Sequence, residues 1–178
     1  MAMENVDRMV AHAEPWWRLA GKFLLAFVAL QVLYAWSEGT AVERLLVDTI
    51  TVGSAAWIID HIDPASAALA IGHEIIAPCG SLSVLDGCEG SEAVLLLAAA
   101  MLAAPMSNGC RIVGLMAALP FVYLINQIRL AALFFSYCTA RDMFALLHGY
   151  VAPTAIVIAC CIFFLAWLQL CQARSPHH

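Results

Sequence analysis

Leu124-Ile125-Asn126-Gln127-Ile128-Arg129-Leu130-Ala131-Ala132-Leu133-Phe134-Phe135 carries a guanidinium inside one of the most hydrophobic stretches of the chain. Placing an arginine at the centre of a lipid-spanning helix costs roughly 2.5–3.5 kcal/mol on insertion scales. A chain with only eight Lys and Arg residues does not carry that cost for solubility. An ionisable residue within a membrane span reads first as a functional site, and its surroundings decide which.

The composition sets the class outward from that stretch. Apolar residues make up 63% of the 178 residues, charged residues 12%, and the mean hydropathy is +0.87. Soluble domains run at roughly 45–50% apolar and about 25% charged residues. The sequence therefore predicts an all-α, polytopic membrane helix bundle forming one domain over residues 1–178. The net charge of -5 says little about partners, because most charges fall in short loops or at the ends. No nucleic-acid partner and no cleavable signal peptide are expected.

Residues 1–18 form a polar segment ending in the aromatic and basic anchor Trp16-Trp17-Arg18. Four spans are predicted, at 19–36, 91–107, 112–137 and 146–171. Residues 37–90 form an extracytoplasmic loop with interfacial or re-entrant helices. The apolar stretch 45–62 is short for a span, which needs about 20 residues, and its crossing of the membrane stays open. Arg8, Arg18, Lys22, Arg111 and Arg174 fall at the ends that the positive-inside rule assigns to the cytoplasm. Arg44 and Arg141 depart mildly from it. The bundle is expected in the plasma or inner membrane of a bacterial or archaeal cell.

The helix rise then acts as a ruler. At about 1.5 Å per residue, Arg129 lies about 27 Å beyond Arg111, Cys88 about 30 Å before Asn108, and His148 about 39 Å before Arg174. The hydrocarbon core is about 30 Å thick. Cys88, Arg129 and His148 are thus predicted near the outer interface on successive spans. A cysteine and a histidine brought together are the minimum for thiolate catalysis. The thiolate is the nucleophile, and a neighbouring cation lowers a thiol pKa from about 8.5. The imidazole serves as general acid for a leaving amine. Arg129 suits an oxyanion or the thiolate itself. Asn126, three residues earlier, is placed to orient Arg129 or a substrate.

These residues resemble a known family. The loop Asp86-Gly87-Cys88-Glu89-Gly90 before a span resembles the Cys-x-Gly motif of exosortases and archaeosortases. Asn126-Gln127-Ile128-Arg129 resembles their Asn-x-x-Arg motif, and His148 their third signature residue. Arg111-Ile112-Val113-Gly114-Leu115 followed by Pro120 looks like the segment between them. The resemblance covers about residues 85–170, and the form Gly87 to Ala93 is most similar to the short exosortase H type. It implies a membrane cysteine transpeptidase that cleaves the C-terminal sorting signal (motif, apolar span, basic tail) of exported proteins. Cys88 forms the thioester on this reading, Arg129 and His148 assist, and an acceptor nucleophile releases the product. Glu89 departs from the family's small or neutral residue, and a carboxylate there raises the thiol pKa.

Plainer readings stand beside these. Cys88 also reads as a loop thiol, Arg129 as a snorkelling helix-end residue, His148 as an interfacial helix start and Asn126 as an interhelical hydrogen-bonding group. Glu92, one turn after Cys88, reads as a supporting group that pairs with Arg129 or Arg141, or as a loop terminator. His73, Glu74, Cys79 and Cys88 lack tetrahedral zinc spacing, so no metal and no cofactor are expected. Cys110, Cys138, Cys160, Cys161 and Cys171 read as small hydrophobes. Two functional alternatives remain open at this level. One is a four-span, quinone-coupled thiol–disulfide oxidoreductase using Cys79 and Cys88; the other is a non-enzymatic membrane subunit or anion transporter built around Arg129.

Overall fold

In a computed structural model of the chain, residues 15–37, 39–84 and 90–173 are described. Among them about 80% are helical, as a chain must be when lipid supplies no partner for backbone groups. Helix α1 spans Trp16–Ala35. Helix α2, Ala41–Arg44, continues through a π-helical stretch, Leu45–Gly53, into α3, Ser54–Ile62. Helix α4 is Ser91–Ala103 and α5 is Asn108–Thr139. Helix α6, Arg141–Leu146, passes through a π-helical turn, Leu147–Val151, into α7, Ala152–Ala173.

Four helical stretches are long and apolar enough to cross a membrane: Trp16–Ala35, Leu45–Ile62, Asn108–Thr139 and Arg141–Ala173. The chain is accordingly a membrane protein. One expected boundary needs correction. The stretch predicted as a span over 91–107 is helical only over 13 residues, Ser91–Ala103, about 20 Å at the α-helical rise. Residues 45–62, whose crossing the sequence leaves open, have the length and composition of a span, which by itself does not decide that they cross.

The short α4 is the hub, contacting α1, α5 and α7. Its Leu97 and Met101 join Ala118 and Val122 of α5 and Ile156 and Cys160 of α7 in one apolar cluster. At one end of this bundle Arg111 fastens the α4–α5 turn. Its guanidinium donates to the Met101, Ala104 and Met106 carbonyls and to Asn108 Oδ1. These include carbonyls that α4 leaves without helical partners at its C-terminus. Beside it Trp167 Nε1 donates to the Cys110 carbonyl at 3.1 Å. Gly114 admits that indole: a Cβ there lies 2.5 Å from Trp167 Nε1. A Cys110–Cys171 disulfide closes the same end.

At the other end α5, about 48 Å long at the helical rise, runs past the bundle and carries a small sheet. The region 69–83 lies in the expected extracytoplasmic loop with interfacial or re-entrant helices, where 64–78 read as a broken apolar piece and 79–90 as a Gly-rich loop. It is instead a three-stranded antiparallel sheet in the order β1 (Leu69–Ile71), β2 (Glu74–Ala77), β3 (Gly80–Ser83). Leu69 faces Ile76 and Glu74 faces Ser83. The cause is local: Gly72 at φ 57° and Gly80 at φ 136° supply backbone that only glycine adopts easily. The side chains of Ile75 and Leu82 turn inward onto Val52, Ile59, Leu130 and Phe134. A Cys79–Cys138 disulfide ties the sheet to the last turn of α5. Cys110, Cys138 and Cys171 are therefore bonded rather than merely packed, whereas Cys160 and Cys161 are free.

Candidate functional site

Gly90 is where the two distant motifs meet. It is buried, stands at φ 84° before the first residue of α4, and packs against the Asn126 side chain of α5. A Cβ on Gly90 lies 2.9 Å from Asn126 Cγ, so the contact requires glycine both sterically and conformationally. The last residue of the Gly-Cys-x-Gly stretch thus sits on the first residue of Asn-x-x-Arg, 36 positions later in the chain. Cys88 and Glu89 lie outside the described residues.

Two cavities open on either side of Gly90. The first, about 460 Å³, is walled by Tyr34 of α1, Leu46 and Ile50 of the π-helical stretch, Val94 of α4, and Pro120 and Tyr123 of α5. Asn126 and Ser91 line it as well. Asn126 is 2% exposed, and neither its Oδ1 nor its Nδ2 finds a hydrogen-bond partner among the described residues. Buried polar atoms are paired in the great majority of cases, so an unpaired carboxamide on a residue that lines a cavity marks a place for something else. The second cavity, about 370 Å³, holds Arg129, Glu92 and Gln31 around Gly90, with Phe27, Pro153 and Val157 as apolar wall.

Asn126 and Arg129 are about 60° apart around the helix, since three residues turn it by about 300°. That offset puts one in each cavity. Asn126 makes no hydrogen bond to Arg129; of the two roles expected for it, orienting Arg129 or orienting a substrate, the second stays open. Glu92 and Arg129 share a cavity, but no ion pair within 4 Å joins them among the described residues, and Arg141 is engaged elsewhere. Its guanidinium donates to the Cys79 carbonyl at 3.1 Å and lies 4.8 Å over the Tyr137 ring. His148 is exposed in the π-helical turn before α7, stacked on Phe144 at 5.5 Å. It is absent from the lining of the second cavity, where α7 instead contributes Pro153, Ile156 and Val157.

Sequence reasoning passed over several contributors. Gln31 and Tyr34 were read simply as part of the first span, although a glutamine within that apolar run is a visible signal. The Asp48 carboxylate meets His73 Nδ1 at 2.6 Å and ties the π-helical stretch to the sheet. The same contact takes His73 out of any cluster with Cys79. Among the described residues no three His, Cys, Asp or Glu side chains converge as metal ligands do. Cys79, the expected redox partner of Cys88, is bonded to Cys138. No protein-family model, curated protein or solved structure matches the chain.

Proposed function

We propose that the chain is a membrane cysteine transpeptidase of the exosortase kind, with Cys88 as nucleophile and Arg129 and His148 as its assistants. The observation that carries this reading is Gly90 seated between Asn126 and the Arg129 cavity. Consecutive Cα atoms are 3.80 Å apart, so the chain itself keeps Cys88 Cα within about 7.6 Å of Gly90 Cα. Arg129 then stabilises either the thiolate or the oxyanion of a tetrahedral intermediate. The thiolate attacks the scissile carbonyl of a sorting signal, the nitrogen leaves with a proton from His148, and a thioester remains for an acceptor nucleophile. Glu92 faces the same cavity as Arg129 and tunes its charge. Glu89 beside the nucleophile favours the neutral thiol until a cation or a substrate offsets it.

On this reading α1, α4, α5 and the α6–α7 helix cross the bilayer, with both ends of the chain in the cytoplasm. The helix 45–62 rises along the outer half of α5 instead of crossing. Tyr123 donates to the Ile50 carbonyl and Gln127 to that of Thr51. Those donors lie about 23 and 29 Å beyond Asn108 at the helical rise, already near the outer boundary. The disulfide between Cys79 and Cys138 weighs against the oxidoreductase alternative, because it removes the partner that Cys88 needs for dithiol exchange.

The substrates are exported proteins ending in a short motif, an apolar span and a basic tail. Mass spectrometry of exported-protein C-termini in the source cell tests the proposal. Such tails should be removed by the wild-type chain and by Cys161→Ala, and retained in Cys88→Ala. Tails removed equally in Cys88→Ala contradict it.

A further inference from the structure

We infer that the Asn126 cavity is a subsite for an apolar peptide segment, one backbone amide of which pairs with the Asn126 carboxamide. The inference deepens the transpeptidase reading and rests on it. Its starting point is the pair of unmet hydrogen-bonding atoms. Asn126 Oδ1 needs a donor and Nδ2 needs an acceptor, and both are buried on the wall of a cavity whose other walls are apolar.

The chemistry of that pair selects among apolar occupants. A lipid ester or a quinone offers acceptors alone, satisfies Nδ2 and leaves Oδ1 buried without a donor, a costly outcome. A secondary amide offers one N–H and one C=O and satisfies both. A hydrocarbon chain satisfies neither. Among molecules at home between membrane helices, a peptide with apolar side chains fits. At about 460 Å³ the cavity falls within the roughly 300–1,000 Å³ range of ligand sites.

Position adds direction. Gly90 belongs to the walls of both cavities, so the two adjoin at that residue. A peptide laid across Gly90 has apolar residues beside Tyr34, Leu46 and Pro120 on one side. On the other side, the Arg129 cavity receives residues that carry hydrogen-bond acceptors or negative charge. The bond to be cleaved is the one that crosses Gly90. Specificity then has two parts, an apolar side read by shape and a polar side read by the guanidinium.

The test is equilibrium binding to the full-length Cys88→Ala protein in detergent micelles. The probes are N-acetyl-trileucine N-methylamide and a series in which each amide in turn is replaced by an ester. One ester position should weaken binding at least tenfold. In Asn126→Leu the parent peptide should fall to the affinity of that ester, with the difference between them gone. Leu46→Trp, which fills the cavity from its exposed edge and leaves Asn126 in place, should abolish binding of the whole series. Equal binding of amide and ester probes overturns the inference, as does a preference that persists in Asn126→Leu. Displacement of the peptide by equimolar methyl laurate also overturns it and assigns the cavity to acyl chains. The Cys88→Ala background performs no chemistry, so failure here leaves the proposal for Cys88 to be judged by its own labelling.

Discussion

At the residue scale the account turns on Gly90 and Arg129. Left-handed backbone costs a residue with a Cβ roughly 1–2 kcal/mol, and at Gly90 the new methyl also meets Asn126. Gly90→Ala should therefore lower the thermal midpoint in detergent and abolish processing. Gly149→Ala, where nothing lies within 4 Å of the added carbon, should leave both unchanged; equal effects of the two would remove the steric argument. For Arg129 the expected role is planar, bidentate hydrogen bonding, which a lysine does not reproduce. Arg129→Lys should cut the single-turnover rate by on the order of 100-fold, the usual loss for an oxyanion donor. Near-normal turnover reduces the role to charge alone. Arg129 was legible in the sequence because a cation in an apolar run is conspicuous. The open carboxamide of Asn126 was not, since a sequence shows that a polar group is present and not whether it is paired.

At the element scale the helices were legible and their surroundings less so. Apolar runs of 20 residues announce α1, α5 and α7. Helix α4 was expected to be longer because Ala104 and Pro105 continue its apolar composition, while the C-cap residue Ala104 already has extended backbone at ψ 143°. The sheet was missed because strands of three and four residues give too short a period to distinguish from a broken helix; its glycines were the available signal. Arg111 holds the α4–α5 turn through carbonyls that no other side chain reaches in the described structure. A hydrogen bond to a charged group contributes about 1.5–3 kcal/mol when buried. Arg111 is half-buried, so Arg111→Ala should cost about 1–2 kcal/mol in reversible unfolding, with Arg111→Lys recovering only part. No loss would show that the turn is held by packing alone. The Cys79–Cys138 bond closes a loop with a sequence separation of 59, a constraint usually contributing about 2–4 kcal/mol. Cys79→Ser, Cys138→Ser and the double variant should be equally destabilised while the chemical step survives. A Cys79→Ser variant that is stable yet inactive would revive the redox reading.

At the scale of the whole molecule, composition alone made the membrane class legible, whereas the tertiary pairing of loop and helix was not. The motif residues lie on separate elements, and only folding sets Gly90 on Asn126. The proposed orientation rests on the positions of basic residues and has its own test. Cys110 and Cys138 sit at opposite ends of α5, about 42 Å apart at the helical rise, so on the proposed topology their disulfides face opposite compartments. On the proposed orientation an impermeant maleimide added to intact cells labels Cys79 and Cys138 only after reduction. Cys110 and Cys171, bonded to each other and on the cytoplasmic side, react only after both permeabilisation and reduction. The reverse pattern would invert the bundle. The central claim is that Cys88 is the nucleophile, and active-site trapping addresses it most directly. A peptide carrying an apolar sorting sequence and an electrophilic warhead is incubated with the purified chain, and the adduct is mapped by mass spectrometry. The account predicts modification of Cys88 alone among the seven cysteines, sharply slowed in Arg129→Lys. Adducts spread over Cys160 and Cys161, or none at Cys88, would contradict it.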